Sequence, residues 1–186
     1  MREAVIVDAI RSPIGRGKPI KGDLSGVHPV ILLSKLLDSL VQRNGLQYED
    51  VEQVIAGCVT QAGEQSNNLA RNAWLWLGKN WKTGATTVDS QCGSAQQANH
   101  MISAMIQGGS LDIGIACGVE SMSRVGLGMN VMNGPGYFHP DGWPWDQTRD
   151  QFTSVERMVK NRGLKREDID KFAFESQTKA AAAWKA

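Results

Sequence analysis

Apolar positions run through this chain in two rhythms. Short continuous stretches at 4–10, 54–59, 85–88 and 113–119 are rich in β-branched residues and read as strands buried on both faces of a sheet. Between them the apolar residues fall at helical spacing. Leu33, Leu36, Leu37, Leu40 and Val41 mark one face of a helix expected over 29–44 and ended by Asn44-Gly45. A second helix is expected over 69–77, capped by Asn67 or Asn68. Its Trp74 and Trp76 are too large to leave in water, so it should face another element or subunit. A third begins behind Cys92, carries Ala95, Ala98, Met101, Ile102, Met105 and Ile106, and stops at Gly108-Gly109. Alternating strands and helices predict an α/β fold, a mostly parallel sheet covered by helices.

Two segments break the alternation. Residues 11–26 are punctuated by Pro13, Gly15, Gly17, Pro19, Gly22 and Gly26 and form a loop. Its Arg11, Arg16, Lys18 and Lys21 suit a phosphate site or a solvated surface, but the glycine spacing matches neither a Walker loop nor a dinucleotide turn. Residues 124–149 show no sustained period, yet hold Met129, Met132, Tyr137, Phe138, Trp143 and Trp145. Irregular segments of this length are commonly functional or interfacial. An assembly surface burying Tyr137, Phe138, Trp143 and Trp145 between subunits is expected.

Two closing helices follow. One carries Phe152, Val155, Met158 and Val159 and ends near Gly163; the other runs from about Arg166 to Trp184. No stop signal precedes position 186, so the chain is expected to be part of something larger. The expected division is 1–120 for the α/β domain and 121–186 for a partial loop domain.

Composition excludes several classes. The 186 residues are 41% hydrophobic and 21% charged, ordinary for a globular protein. A formal net charge of +1 gives no electrostatic case for nucleic acid or an anionic membrane, and no apolar run approaches a membrane span. Cys58, Cys92 and Cys117 are odd in number and widely spaced, which argues for a reducing compartment. With no signal-peptide pattern, the expected location is cytoplasmic. His28, His100 and His139 stand apart from one another and from any Cys-x-x-Cys, so no metal site is expected.

Cys92 is the candidate for chemistry. It falls between a short strand and a helix whose first turn opens with Gly93, Ser94 and Ala95. A sulfur there faces the unpaired N–H groups and positive end of the helix, which favours the thiolate. The small neighbours leave room for an acyl group. A nucleophilic, acyl-carrying cysteine fits, and so does a cysteine used as a small buried hydrophobe. Cys58 and Cys117, on strands, read as packing.

The motifs then carry a resemblance. Val7-Asp8-Ala9-Ile10-Arg11-Ser12-Pro13-Ile14-Gly15, Gly57-Cys58-Val59-Thr60-Gln61-Ala62-Gly63-Glu64, Cys92-Gly93-Ser94-Ala95-Gln96-Gln97-Ala98 and Gly118-Val119-Glu120-Ser121-Met122-Ser123-Arg124 occur in order. Lys165-Arg166-Glu167-Asp168-Ile169-Asp170, continuing to Ser176-Gln177, comes after them. With these, the chain resembles the N-terminal part of the thiolase (acetyl-CoA C-acyltransferase) family over essentially its whole length. The resemblance implies a thiolase-like fold, N-terminal half only, without the C-terminal thiolase domain. Cys92 takes the place of the acyl-accepting nucleophile, and its backbone N–H is a candidate oxyanion donor.

Coenzyme A is implied as co-substrate, with no tightly bound cofactor and no coenzyme-contacting residue identified. The implied partners are acyl-CoA and a second copy (a dimer or tetramer), or a chain supplying the C-terminal half. In the family a histidine activates the nucleophile and a second cysteine serves as acid and base, both on C-terminal motifs that this sequence does not contain. Among thiolases the chain looks most like those that shorten steroid side chains, through Gly63-Glu64-Gln65-Ser66-Asn67-Asn68, Gly84-Ala85-Thr86-Thr87-Val88-Asp89 and Gln96-Gln97-Ala98-Asn99-His100. Asp89 stands where asparagine is common and Ala95 where glycine is common. The His-Met turn of biosynthetic acetoacetyl-CoA thiolases is absent before the first closing helix, where Asp150-Gln151-Phe152 stands. The other readings are that biosynthetic enzyme and a non-catalytic interaction subunit.

Overall fold

The computed structural model describes residues 2–132, 134, 139–146 and 150–186. They fall into two compact units, 1–138 and 139–186. In the first, strands β1 (Gln53–Gly57), β2 (Gly84–Val88) and β3 (Gly114–Gly118) form an all-parallel sheet in the order β2-β1-β3. Helices α1 (Pro29–Arg43) and α2 (Leu69–Trp76) precede β2, and α3 (Ser94–Gln107) connects β2 to β3.

Successive β1 side chains point to opposite faces, and both faces are covered. Val54, Ala56 and Cys58 join a cluster with Leu33, Leu37 and Val41 of α1 and Leu69, Ala70, Ala73 and Trp74 of α2. Ile55 faces the other way, onto Ala98 and Ile102 of α3. The sheet is thus sandwiched between helices, which is why its central strand reads as continuously apolar. The α/β expectation holds.

Local chemistry sets the helix ends. His28 caps α1, its Nδ1 accepting from the Val30 N–H at 3.2 Å, and Pro29 occupies the first turn. Asn68, at φ 55°, caps α2 by accepting from the Arg71 N–H at 3.3 Å. Trp74 is buried and its Nε1–H donates to the Asn80 carbonyl at 2.7 Å. Trp76 is 62% exposed, because residues two apart do not share a helix face.

One expected strand is not formed. Residues 4–10 join no ladder among the described residues, and Val5, Ile6 and Val7 are largely exposed. Apolar character marks a candidate strand, but a strand also needs a partner for its N–H and C=O groups. The described sheet supplies none. Asp8 is instead held by Arg43 at 3.2 Å and by Asn44 Nδ2 at 3.1 Å.

The second unit holds α4 (Gln151–Arg162) and α5 (Arg166–Ala183). Asp150 caps α4 through the Thr153 N–H at 2.8 Å, and Gly163 ends it at φ 62°. Of the four rings expected in an assembly surface, Trp143 and Trp145 are exposed; Tyr137 and Phe138 lie outside the described residues. No helix among the described residues is long and apolar enough to cross a membrane.

Candidate active site

In a parallel sheet the strands deliver their loops to one edge, at their carboxyl ends. Here those loops are 58–68 after β1, 89–93 after β2 and 119–125 after β3. Cys92 sits in the second, on the turn that becomes α3, and is exposed. The turn is tight. Gln91 takes φ 53°, a left-handed value that costs a non-glycine residue energy. Its N–H donates to Asp89 Oδ1 at 2.8 Å, and the Gly93 N–H donates to the Ser90 carbonyl at 3.1 Å.

The start of α3 lies directly on the ends of β1 and β3. Gly57 and Gly118 are paired in register. A Cβ on Gly57 would fall 2.4 Å from the Ala95 nitrogen and 2.5 Å from the Ser94 carbonyl carbon. A Cβ on Gly118 would fall 3.0 Å from Ala95 Cβ. Glycine at both strand ends and alanine at 95 let the helix approach the sheet closely, and that approach fixes where Cys92 stands.

The flanking loops are tied together by Glu120. Its carboxylate accepts from the Val59 N–H at 2.9 Å, the Thr60 N–H at 3.1 Å and Gln65 Nε2 at 3.1 Å. Gln65 is fully buried, donates also to the Thr60 carbonyl at 2.8 Å, and accepts from the Ser121 N–H at 2.6 Å. Further along, Arg124 forks onto Glu64 with both distances 2.5 Å and donates to the Ser25 carbonyl at 2.6 Å. That guanidinium holds the Glu64 carboxyl below the usual range. Glu120 and Gln65 fall inside motifs of the sequence, but neither was singled out as a site residue, because the contacts that join the two loops lie 55 and 56 residues apart.

The three cysteines separate cleanly. Cys58 is buried, and burial first, then the nearby Glu120 carboxylate, push its thiol up to about 12. Burial alone pushes Cys117 to about 12; its Sγ lies 3.5 Å from the Ile55 carbonyl. At pH 8 such thiols are ionised only about one part in 10⁴. Iodoacetamide at pH 8 is therefore expected to alkylate Cys92 roughly 10²-fold or more faster than the other two, as read by peptide mass spectrometry. Comparable labelling of Cys58 or Cys117 contradicts this arrangement.

His28 caps α1, with Nε2 4.0 Å from Glu64. His100 is exposed on α3, and His139 stacks on Trp143 at 4.4 Å in the second unit. Among the described residues no group of three or more His, Cys, Asp or Glu side chains is placed to hold a metal ion. A groove of ≈ 460 Å³ between α1 and α2, lined by His28, Val30, Ile31, Asn72, Leu75 and Trp76, includes no residue of the Cys92 turn.

An α/β domain with one accessible thiol on a strand-to-helix turn defines a class: folds that can present a sulfur nucleophile at a sheet edge. The particular family follows from comparison, for the thiolase N-terminal domain matches residues 4–186. The chain belongs to the thiolase family. It is 34% identical over 195 aligned positions to the steroid 3-ketoacyl-CoA thiolase FadA6 of Mycobacterium tuberculosis, covering 100% of this chain and 47% of that one. It is 38% identical to a 3-ketoacyl-CoA thiolase of Shewanella frigidimarina, covering 98% and 46%. Among solved structures, Acat5 thiolase from Ascaris suum in complex with coenzyme A superposes with a TM-score of 0.69 at 26% identity, over 90% of this chain and 46% of that one. The acetyl-CoA acetyltransferase of Bacillus anthracis gives 0.66 at 27% identity, over 90% and 45%. The chain spans about half the length of the curated relatives it matches.

Proposed function

We propose that this chain is the nucleophile-bearing half of a thiolase that cleaves 3-oxoacyl-CoA esters through an acyl-cysteine at Cys92. One observation carries the reading: the sole exposed cysteine of the chain sits on the β2–α3 turn, inside a match to the thiolase N-terminal domain. In the forward reaction the Cys92 sulfur attacks the keto carbon, forming an S–C bond. The carbon–carbon bond to the acetyl-CoA or propionyl-CoA portion breaks, and that carbanion takes up a proton. The thiol of a second coenzyme A then attacks the acyl-cysteine, releasing a shortened acyl-CoA and returning a proton to Cys92. Sulfur suits both halves, because the first leaves the acyl group as a thioester on Cys92, the second exchanges that thioester for one on coenzyme A, and thiolate leaves readily.

The proton transfers need an acid and a base. The family motifs that carry them do not occur in this sequence, so those groups are assigned to a second half, in the same or another polypeptide. A steroid side-chain ester as substrate rests on the likeness to FadA6, named as a steroid 3-ketoacyl-CoA thiolase, and on the motifs shared with that subgroup. A cytoplasmic homo-oligomer is proposed with it, with exposed Trp143 and Trp145 in a contact surface. Incubating the chain with an acyl-CoA, followed by mass spectrometry and a coenzyme A release assay, tests the reading. Slow acylation confined to Cys92 without repeated turnover is expected. Absence of any acylation removes the nucleophile assignment, and sustained turnover removes the need for a second half.

A further inference from the structure

We infer that Ser94 is a positioning residue for Cys92, locking the Gln91–Cys92 peptide plane so that the sulfur and the Cys92 N–H face the acyl group together. The inference rests on the acyl-cysteine reading above. Ser94 is the first residue of α3, is buried at 4% exposure, and closes the turn with its own side chain. Its Oγ accepts from the Ser90 N–H at 2.9 Å and donates to the Gln91 carbonyl at 2.5 Å. Its backbone N–H donates to the same carbonyl at 3.0 Å. The Gln91 carbonyl is therefore held toward the helix by two donors from one residue.

The consequence follows from peptide geometry. A trans peptide is planar, with the C=O of one residue and the N–H of the next pointing opposite ways, and no cis bond occurs among the described residues. Holding the Gln91 carbonyl toward the helix turns the Cys92 N–H away from it. The same contacts maintain Gln91 at φ 53°, a conformation a glutamine leaves when unsupported. If the Ser94 hydroxyl is removed, the Ser90 N–H loses its side-chain acceptor and the Gln91 carbonyl keeps only the Ser94 backbone N–H, so the peptide plane is held less firmly. An oxyanion donor acts only when it is already aimed at the developing charge, and misplacement by about 1 Å costs about 10²-fold.

The step under test is a single acyl transfer: the Cys92 S–H and an acyl thioester give the acyl-Cys92 thioester, and the leaving coenzyme A thiolate takes the proton. Ser94→Ala, Ser94→Thr and the unaltered chain are mixed with acetyl-CoA, and the acylation rate at Cys92 is followed by mass spectrometry. Each is then challenged with iodoacetamide, with the buried Cys58 and the half-buried Cys117 as reporters of an opened fold. Ser94→Ala is expected to acylate about 10²-fold more slowly, Ser94→Thr to recover most of that loss, and Cys58 and Cys117 to stay unlabelled throughout. Wild-type acylation rates in Ser94→Ala overturn the inference and leave the acyl-cysteine reading standing. Slow acylation accompanied by labelling of Cys58 and Cys117 also overturns it, since Ser94 then supports the fold and not the sulfur. An unaltered chain that never acylates removes both.

Discussion

Cys92→Ala should abolish thiolysis by the complete enzyme, lowering kcat by on the order of 10⁴-fold or more, the scale seen when a covalent nucleophile is removed. The same substitution should leave stability within about 0.5 kcal/mol of the parent, because the side chain is exposed and fills no core position. This split between activity and stability separates a nucleophile from a packing residue. Cys58→Ala should behave in the opposite way: it is buried against α1 and α2, so it should cost stability and spare Cys92. Thiolysis and thermal melting of the two variants, measured side by side, decide the point. Retention of a tenth of parental turnover by Cys92→Ala ends the assignment.

Much of this was legible in the residues, for identifiable physical reasons. The central strand and its covering helices could be read because burial on both faces leaves an unbroken apolar run in 54–59, and because Leu33, Leu37 and Val41 repeat at the helical period. Cys92 could be placed on its turn because a β-branched run ends just before it and helical spacing begins just after. What failed was long-range pairing. Val5, Ile6 and Val7 are as apolar as Val54 and Ile55, yet only the latter have partners on either side. Side-chain character measures a wish to be buried; the ladder depends on which backbone arrives next to it.

The polar half of the site was hidden for a related reason. Glu120 binds two backbone N–H groups and Gln65, and Gln65 binds the backbone of the loops after β1 and β3. Charged and amide residues between strands look like solvated loop, and nothing local distinguishes one aimed inward. The close approach of Ala95 to Gly57 was equally silent. A glycine at a strand end admits several explanations, and only the contacts of the paired Gly57 and Gly118 with Ser94 and Ala95 show that a helix start lies on the pair.

That approach makes Gly57→Ala the most informative single-atom change in the sheet. The added methyl meets the backbone at the start of α3: the Ala95 nitrogen at 2.4 Å, the Ser94 carbonyl carbon at 2.5 Å and the Ala95 Cα at 2.8 Å. No side-chain rotation relieves such contacts, so α3 must lift from β1 or β1 must bend. Overpacking of this kind costs about 1–3 kcal/mol, and for a chain of this size each kcal/mol lowers Tm by roughly 2–4 °C. A drop of several degrees is expected, and because the lifted segment is the first turn of α3, Cys92 acylation should fall with it by about 10²-fold. Gly17→Ala provides the contrast. No atom lies within 4 Å of a Cβ built there, so alanine should be neutral or slightly stabilising through the unfolded chain. Differential scanning calorimetry and Cys92 acylation rates on both variants check the pair. Equal melting temperatures for Gly57→Ala and Gly17→Ala would mean that α3 does not rest on the β1–β3 glycine pair, and the positioning of Cys92 would need another cause.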